Sequence, residues 1–112
     1  MLTTKVIIQE FLKETDSESA LVMKVGGLIK LEVNVPHTDS VAAMSDAIIS
    51  MTEKFLEDLE RGVLKQLYMK TSESFVVFTK IDDENIVLVF KKSGVNLGMF
   101  LHQIDALAIK LK

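Results

Sequence analysis

Few residues of this 112-residue chain combine a reactive side chain with a useful spacing. The segment Gly94-Val-Asn-Leu-Gly98 precedes a predicted helix, as a phosphate-binding loop does, but it lacks the Gly-Lys-Ser/Thr ending of such loops. The acidic run from Asp82 to Asn85 lacks the alternating ligands, central glycine and distal glutamate of a calcium loop. We therefore interpret the first segment as a helix entry and the second as a solvated turn.

The histidines and serines do not indicate a metal site or a nucleophile. His37 stands in a predicted loop, and His102 lies on a predicted helix where Asp105, at i+3, could pair with it. Because the chain has no cysteine, two isolated histidines are a poor zinc site. Ser45 and Ser50 lie inside a predicted helix and have no suitable base nearby in sequence. We assign no catalytic, cofactor-binding or metal-binding residue and do not expect an enzyme.

Two other residue types invite a chemical role. Arg61 is the only arginine, and some proteins insert an arginine into the phosphate site of a partner. Its place beside Gly62, at the end of a predicted helix, favours a structural role, because a cation there meets the last carbonyls of the helix. Met44 and Met51 share a predicted helix, where core filling is the first interpretation and self-association the second.

The composition excludes several classes of protein. The formal net charge is −3 and the lysines are interleaved with acidic residues, so no nucleic-acid surface is predicted. The longest apolar run, Ile86 to Phe90, is much shorter than a membrane-spanning helix requires. The N-terminus does not resemble a signal peptide. We expect one domain over residues 1–112, without membrane insertion, in the cytoplasm.

The first half of the chain predicts a helix, a hairpin and a second helix. Apolar residues recur at helical spacing from Thr4 to Lys13, and Thr3 or Thr4 can cap this helix. Strands are predicted at Ala20 to Val25 and Leu28 to Val35, joined by a tight primed turn at Gly26 and Gly27. The second strand alternates, with Ile29, Leu31, Val33 and Val35 predicted on one core-facing side, as at a sheet edge.

The longest predicted element is a helix from Val41 to Glu60, which Asp39 or Ser40 can cap and Gly62 can terminate. Its apolar stripe is wide enough to contact something besides its own sheet. This stripe comprises Val41, Met44, Ile48, Met51, Phe55 and Leu59, with Ala47, Ile49 and Leu56 beside it.

The second half predicts three strands, a loop and a final helix. The strands are Val63 to Lys70, Phe75 to Ile81 and Ile86 to Phe90, and short polar turns make them an antiparallel meander. The last two are apolar at successive positions, so helices should cover both faces of the sheet. After a loop from Lys91 to Val95, an amphipathic helix ends the chain. The order is α-β-β-α-β-β-β-α.

This order resembles that of the Roadblock family, which includes the Roadblock dynein light chains, lysosomal scaffold subunits that hold Rag GTPases, and regulators of Ras-like GTPases. The resemblance extends over essentially the whole chain. It is carried locally by Ala20-Leu-Val-Met-Lys-Val-Gly-Gly-Leu-Ile, Val41-Ala-Ala-Met-Ser-Asp-Ala-Ile-Ile-Ser, Arg61-Gly62 and Asn96-Leu-Gly98. It implies a three-layer α-β-α domain of α/β (α+β) class with a five-stranded antiparallel sheet.

The resemblance also implies a dimer, formed with itself or with a related Roadblock chain. The third strand would pair with its twin and the long helices would pack side by side. An apolar edge strand needs such a cover, since an open edge recruits other strands. The implied dimer interface comprises Met44, Ile48, Met51, Phe55, Leu64, Gln66, Leu67 and Tyr68. The implied partner contacts are Glu53, Glu57, Asp58 and Arg61.

Three functions follow as hypotheses. The first is a homodimeric regulator or scaffold of a Ras-like small GTPase, which could stimulate hydrolysis without supplying catalytic residues. The second is a structural adaptor, like a dynein light chain, that holds peptide segments of a larger assembly. The third is a sensory domain that binds a small apolar ligand.

Overall fold

The computed structural model describes residues 3–92 and 96–112. In this part of the chain, three helices and five strands follow the predicted order and form one antiparallel sheet. The helices are α1 (Thr4–Thr15), α2 (Thr38–Asp58) and α3 (Leu97–Leu111). The strands are β1 (Ser19–Lys24), β2 (Leu28–Val33), β3 (Gln66–Lys70), β4 (Ser74–Lys80) and β5 (Asn85–Lys92). The predicted three-layer α-β-α fold is confirmed.

The strand order is β2-β1-β5-β4-β3, so β2 and β3 are the two edges of the sheet. On one face, Ile8 of α1 and Ile104 of α3 belong to the same buried cluster as Val87 and Val89 of β5. On the other face, α2 packs against Leu88 and its neighbours. Successive apolar residues of β5 therefore face two different helical layers, which explains why its sequence does not alternate.

Strand β2 does not present one alternating core face. The pairing with β1 shifts between Val22 and Met23, so that Lys30 is an extra residue that forms a bulge. As a consequence Leu31 packs on the side of α1 and α3, while Ile29 packs on the side of α2. The prediction that these residues share a face is wrong, because the bulge reverses the alternation.

Two turns also differ from their predictions. The β1–β2 connection is a loop of three residues, 25–27, in which Gly26 and Gly27 adopt the expected positive φ angles of 103° and 87°. Helix α2 begins at Thr38, earlier than predicted, and His37 is its N-cap residue, with a φ of 50° and no side-chain capping bond. Neither Asp39 nor Ser40 is the cap.

The C-terminus of α2 is closed by Glu60 and not by Gly62. The backbone N–H of Arg61 donates to the carbonyl of Leu56 at 2.9 Å, and the N–H of Glu60 donates to the carbonyl of Glu57 at 3.0 Å. These two bonds define a Schellman motif with Glu60 in the left-handed conformation at a φ of 54°. Glycine is preferred there, so a glutamate at this position is energetically unfavourable.

Lys91 is a buried residue of β5 that caps the C-terminal end of α1. Its ammonium group donates to the carbonyls of Thr15 and Asp16 at the end of α1 and lies 5.8 Å from the centre of the Phe100 ring. A cation stabilises the negative end of a helix. The sequence assigned Lys91 to a loop, but the structure places it in β5, while residues 93–95 of that loop lie outside the described residues.

Candidate interaction surface

Helix α2 carries an apolar stripe that the sheet does not cover. Met44, Met51 and Phe55 are 59%, 73% and 62% exposed, and partly buried Ile48 lies between them in the stripe. Their spacing of i, i+4, i+7 and i+11 places them on one side of the helix. The residues that α2 buries are Ala42, Ser45 and Ile49. The sequence-predicted stripe is thus mostly the outward one, and four predicted dimer residues belong to it.

The four other predicted dimer residues lie in or next to β3, and the structure divides them. Leu64 is buried and Leu67 is partly buried, and both pack in the core beneath α2. Tyr68 pairs with Val77, whose side chain faces α1 and α3, so Tyr68 lies on the opposite face of the sheet. Gln66 lies on that face too, where its amide donates to Asp105 Oδ1 at 3.0 Å.

A row of partly exposed apolar residues, none of which is in the predicted dimer interface, crosses the α2 face of the sheet. Met69 pairs with Val76, and Val76 pairs with Phe90, so the row crosses β3, β4 and β5. Met69 is 37% exposed, and Val76 and Phe90 are only partly buried. The prediction that helices cover both faces therefore holds only in part. No sequence signal distinguishes these residues from fully covered ones.

The two edges of the sheet differ in their protection. β2 has the bulge at Lys30 and a second charged residue, Glu32, which are features that discourage pairing with another strand. β3 pairs in regular register with β4, and its free edge carries Leu67, Tyr68 and Met69. Edge pairing is therefore favoured at β3.

The four predicted partner contacts cluster around the C-terminal end of α2. Glu53 forms an ion pair of 2.6 Å with Lys80, and Asp58 forms a looser one of 3.7 Å with Lys54. Glu57 is exposed beside a shallow groove of about 470 Å³. Arg61 follows the helix and is exposed as well.

The other candidate residues have local structural roles. Asp82 Oδ1 accepts hydrogen bonds from the backbone N–H groups of Glu84 and Asn85, at 2.8 and 2.9 Å, and this closes the β4–β5 turn. The bond from Glu84, followed by that from the Asn85 side chain, holds the pKa of Asp82 below its usual value. The predicted solvated turn is therefore present.

The carboxylate of Asp105, which the sequence offered as a possible partner of His102, accepts a hydrogen bond from the Gln66 amide. Gly94 and Val95 of the glycine-containing segment lie outside the described residues. Asn96 Oδ1 accepts from the backbone N–H of Met99 at 3.0 Å and caps α3, in agreement with the predicted helix entry. Within ranges 3–92 and 96–112, no three metal-ligating side chains come together, and no helix is long and apolar enough to cross a membrane.

The fold and surface define a three-layer α-β-α domain with an open edge strand and an uncovered helix face. The family model of the Roadblock/LC7 domain matches residues 3–92, and the chain belongs to that family. A comparison with curated proteins finds no match.

Solved structures of the same fold include MglB of Myxococcus xanthus, with a TM-score of 0.90 and 10% identity over 96% of this chain and 90% of that one. An MglB with a tetrameric arrangement gives a TM-score of 0.87 and 14% identity over 96% of this chain and 84% of that one. A Roadblock/LC7 domain of Streptomyces avermitilis gives a TM-score of 0.84 and 12% identity over 94% of this chain and 91% of that one. At these identities the likeness shows a shared fold.

Proposed function

We propose that this chain is a homodimeric regulator or scaffold of a Ras-like small GTPase. The observation that supports the proposal best is the exposed stripe of Met44, Met51 and Phe55 on α2. Full burial of a side chain of this size contributes about 1.5–3 kcal/mol, so a surface that covers the stripe gains substantially. The family membership supports the same proposal, since the Roadblock resemblance implies dimers that bind small GTPases.

In the proposed dimer, the β3 edges of two copies pair antiparallel about a two-fold axis and the two α2 helices pack side by side. A two-fold interface uses the same patch on both copies. The apolar stripe of α2 and the free edge of β3 can supply such a patch. The row of Met69, Val76 and Phe90 then lies near the joint. The tetrameric arrangement of the similar MglB is compatible with association through this fold.

The proposed regulator acts by binding one nucleotide state of the GTPase more tightly than the other, because equal binding would leave the switch unchanged. Glu53, Glu57, Asp58 and Arg61 are the proposed contacts. The chain itself supplies no catalytic residue in this proposal. A cytoplasmic location, where small GTPases act, belongs to the same proposal.

The test is a binding measurement with purified chain and each Ras-like GTPase encoded in its own genome, loaded with GDP or with a non-hydrolysable GTP analogue. We expect one GTPase to bind with state-dependent affinity, and Glu57→Lys to weaken that binding more than the control Glu73→Lys. Absence of binding to every GTPase in both states would refute the proposal.

The free β3 edge favours a second candidate, an adaptor that adds a peptide strand of a larger assembly to its sheet. The same measurement distinguishes the two, because an adaptor that holds a peptide has no reason to sense the nucleotide. Two spaces bear on the third hypothesis, a small apolar ligand: the 400 Å³ groove between α1 and α3, and a smaller space of about 170 Å³ lined in part by Val22, Leu31 and Ile81.

A further inference from the structure

A groove of about 400 Å³ runs along the seam between α1 and α3, on the face of the sheet opposite α2. Each helix contributes residues at i, i+4 and i+7 to its walls. These are Ile7, Phe11 and Glu14 on α1, and Gln103, Leu107 and Lys110 on α3. Two adjacent stripes of this spacing form the kind of groove into which the side chains of a third helix fit.

The groove has free space over its apolar floor because a small residue stands on its wall. Phe11 and Leu107 form the floor and are already packed in the core, at 7% and 2% exposure. Ala106 is exposed beside them. A larger residue at position 106 would fill the space, so the alanine leaves room for a side chain from outside.

The walls favour a helical occupant over an extended one. An extended peptide needs backbone hydrogen-bond partners, as at a strand edge. Most of the backbone groups beside this groove are bonded within α1 and α3, and the carbonyl of Thr15, at the end of α1, accepts from Lys91. An occupant must therefore satisfy its own backbone, which a helix does.

The α1 rim of the groove is acidic, whereas the α3 rim carries Lys110. Glu10 and Glu14 are one helical turn apart on the α1 side, a spacing at which like charges repel. Among the described residues, neither carboxylate forms an ion pair. Lysine or arginine on the occupant would relieve this repulsion.

A second copy of the chain does not supply such a helix. Among the described helices, α2 carries the most exposed large apolar residues, and Thr38–Asp58 contains five carboxylates and one lysine. That charge has the same sign as Glu10 and Glu14, so it opposes docking of α2 in this groove.

We propose that the α1–α3 groove binds a short amphipathic helix of a basic partner protein, with apolar residues over Phe11 and Leu107 and Lys or Arg beside Glu10 and Glu14. This site lies on the other side of the sheet from α2. It does not depend on the proposed GTPase partner.

The test uses a phage-displayed library of helix-forming peptides, selected on the wild-type protein alone. The peptide with the highest affinity is then measured by fluorescence polarisation. We expect it to combine apolar residues at helical spacing with Lys or Arg on one flank, and to bind about tenfold or more weakly to Ala106→Trp and to Glu10→Lys/Glu14→Lys. Ile109→Trp, at an exposed position of α3 outside the groove, and Glu73→Lys/Glu84→Lys should bind like wild type.

Equal binding to wild type and Ala106→Trp would overturn the proposal, as would selected peptides that lack basic residues and tolerate the Glu10/Glu14 reversal. If circular dichroism shows that Ala106→Trp is unfolded, amide chemical shifts of the wild-type protein replace it. Peptide-induced shifts at Ile7 and Ala106 support the groove, and shifts confined to α2 overturn it.

Discussion

Asp46 Oδ1 accepts a hydrogen bond of 2.8 Å from the backbone N–H of Gly26, and this bond joins the β1–β2 loop to the middle of α2. Gly27 lies against the same helix turn, since a Cβ at this position would stand 3.7 Å from the carbonyl oxygen of Ala42. Asp46 and Met44 are two residues apart and so lie on opposite sides of the helix. The loop therefore holds one side of α2 while the other side carries the exposed stripe.

Replacement of Asp46 by alanine should lower the free energy of unfolding by about 0.5–1.5 kcal/mol, because the Gly26 N–H loses its acceptor. Urea denaturation followed by circular dichroism measures this change. Asp46→Asn is the matched control, since it keeps the acceptor oxygen and removes only the charge. Equal losses in both variants would show that the charge, and not the bond, is what matters.

Glu60→Gly should raise the free energy of unfolding by about 0.5–1 kcal/mol, because glycine adopts the left-handed conformation without the strain of a side chain. The same substitution at Glu57, inside α2, should lower it by about 1 kcal/mol. Thermal unfolding of the two variants gives the comparison. A loss of stability in Glu60→Gly would mean that the glutamate makes a contact that stabilises the fold by more than its backbone strain destabilises it.

The turn at Asp82 should make the free energy of unfolding depend on pH. The pKa of this carboxyl is lowered in the folded state by the Glu84 N–H and then by Asn85, so the unfolded chain binds the proton first as pH falls. The stabilisation is therefore complete above the unfolded pKa and is lost as pH falls through the folded one. Urea midpoints measured from neutral pH down to about pH 2 should fall less steeply for Asp82→Asn than for wild type. Parallel curves for the two proteins would contradict this assignment.

Met51→Glu should convert the proposed dimer to a monomer. Met51 is 73% exposed in the single chain, so the charge costs the fold little, whereas in the dimer it would be buried against the partner helix. Light scattering coupled to gel filtration should give about 25 kDa for wild type, which is twice the chain mass of 12.5 kDa, and about 12.5 kDa for the variant.

Met99→Glu is the matched control for the dimer, because Met99 is 62% exposed on α3, on the other side of the sheet. It should keep the wild-type mass. A Met51→Glu protein that remains a dimer would place the interface elsewhere, and a wild-type monomer would remove the homodimer from the proposal.

Much of the fold could be predicted because it depends on neighbours in sequence. Ile8, Phe11 and Leu12 recur at helical spacing, and all three are buried in α1. The glycine pair at 26 and 27 fixed the position of the first hairpin, although the loop is one residue longer than predicted.

The surface could be predicted only in part, because it depends on contacts between distant segments. The number of apolar residues in α2 showed that more than one side of the helix is apolar. The sequence did not show which of these sides faces the sheet, because both carry similar residues. Only the packed sheet decided that Ile49 is buried and Phe55 is exposed. For the same reason, the pairing of β3 with β4 placed Leu67 and Tyr68 on opposite faces.

The sequence by itself determined the elements, their order and the family, because helical and strand periodicity, turn residues and local matches are properties of short segments. The tertiary structure alone decided which apolar residues remain uncovered, where β2 reverses its faces and which edge is protected. The physical reason is that burial belongs to pairs of surfaces and not to single residues. Met44 and Ala42, two positions apart on one helix, therefore have opposite environments.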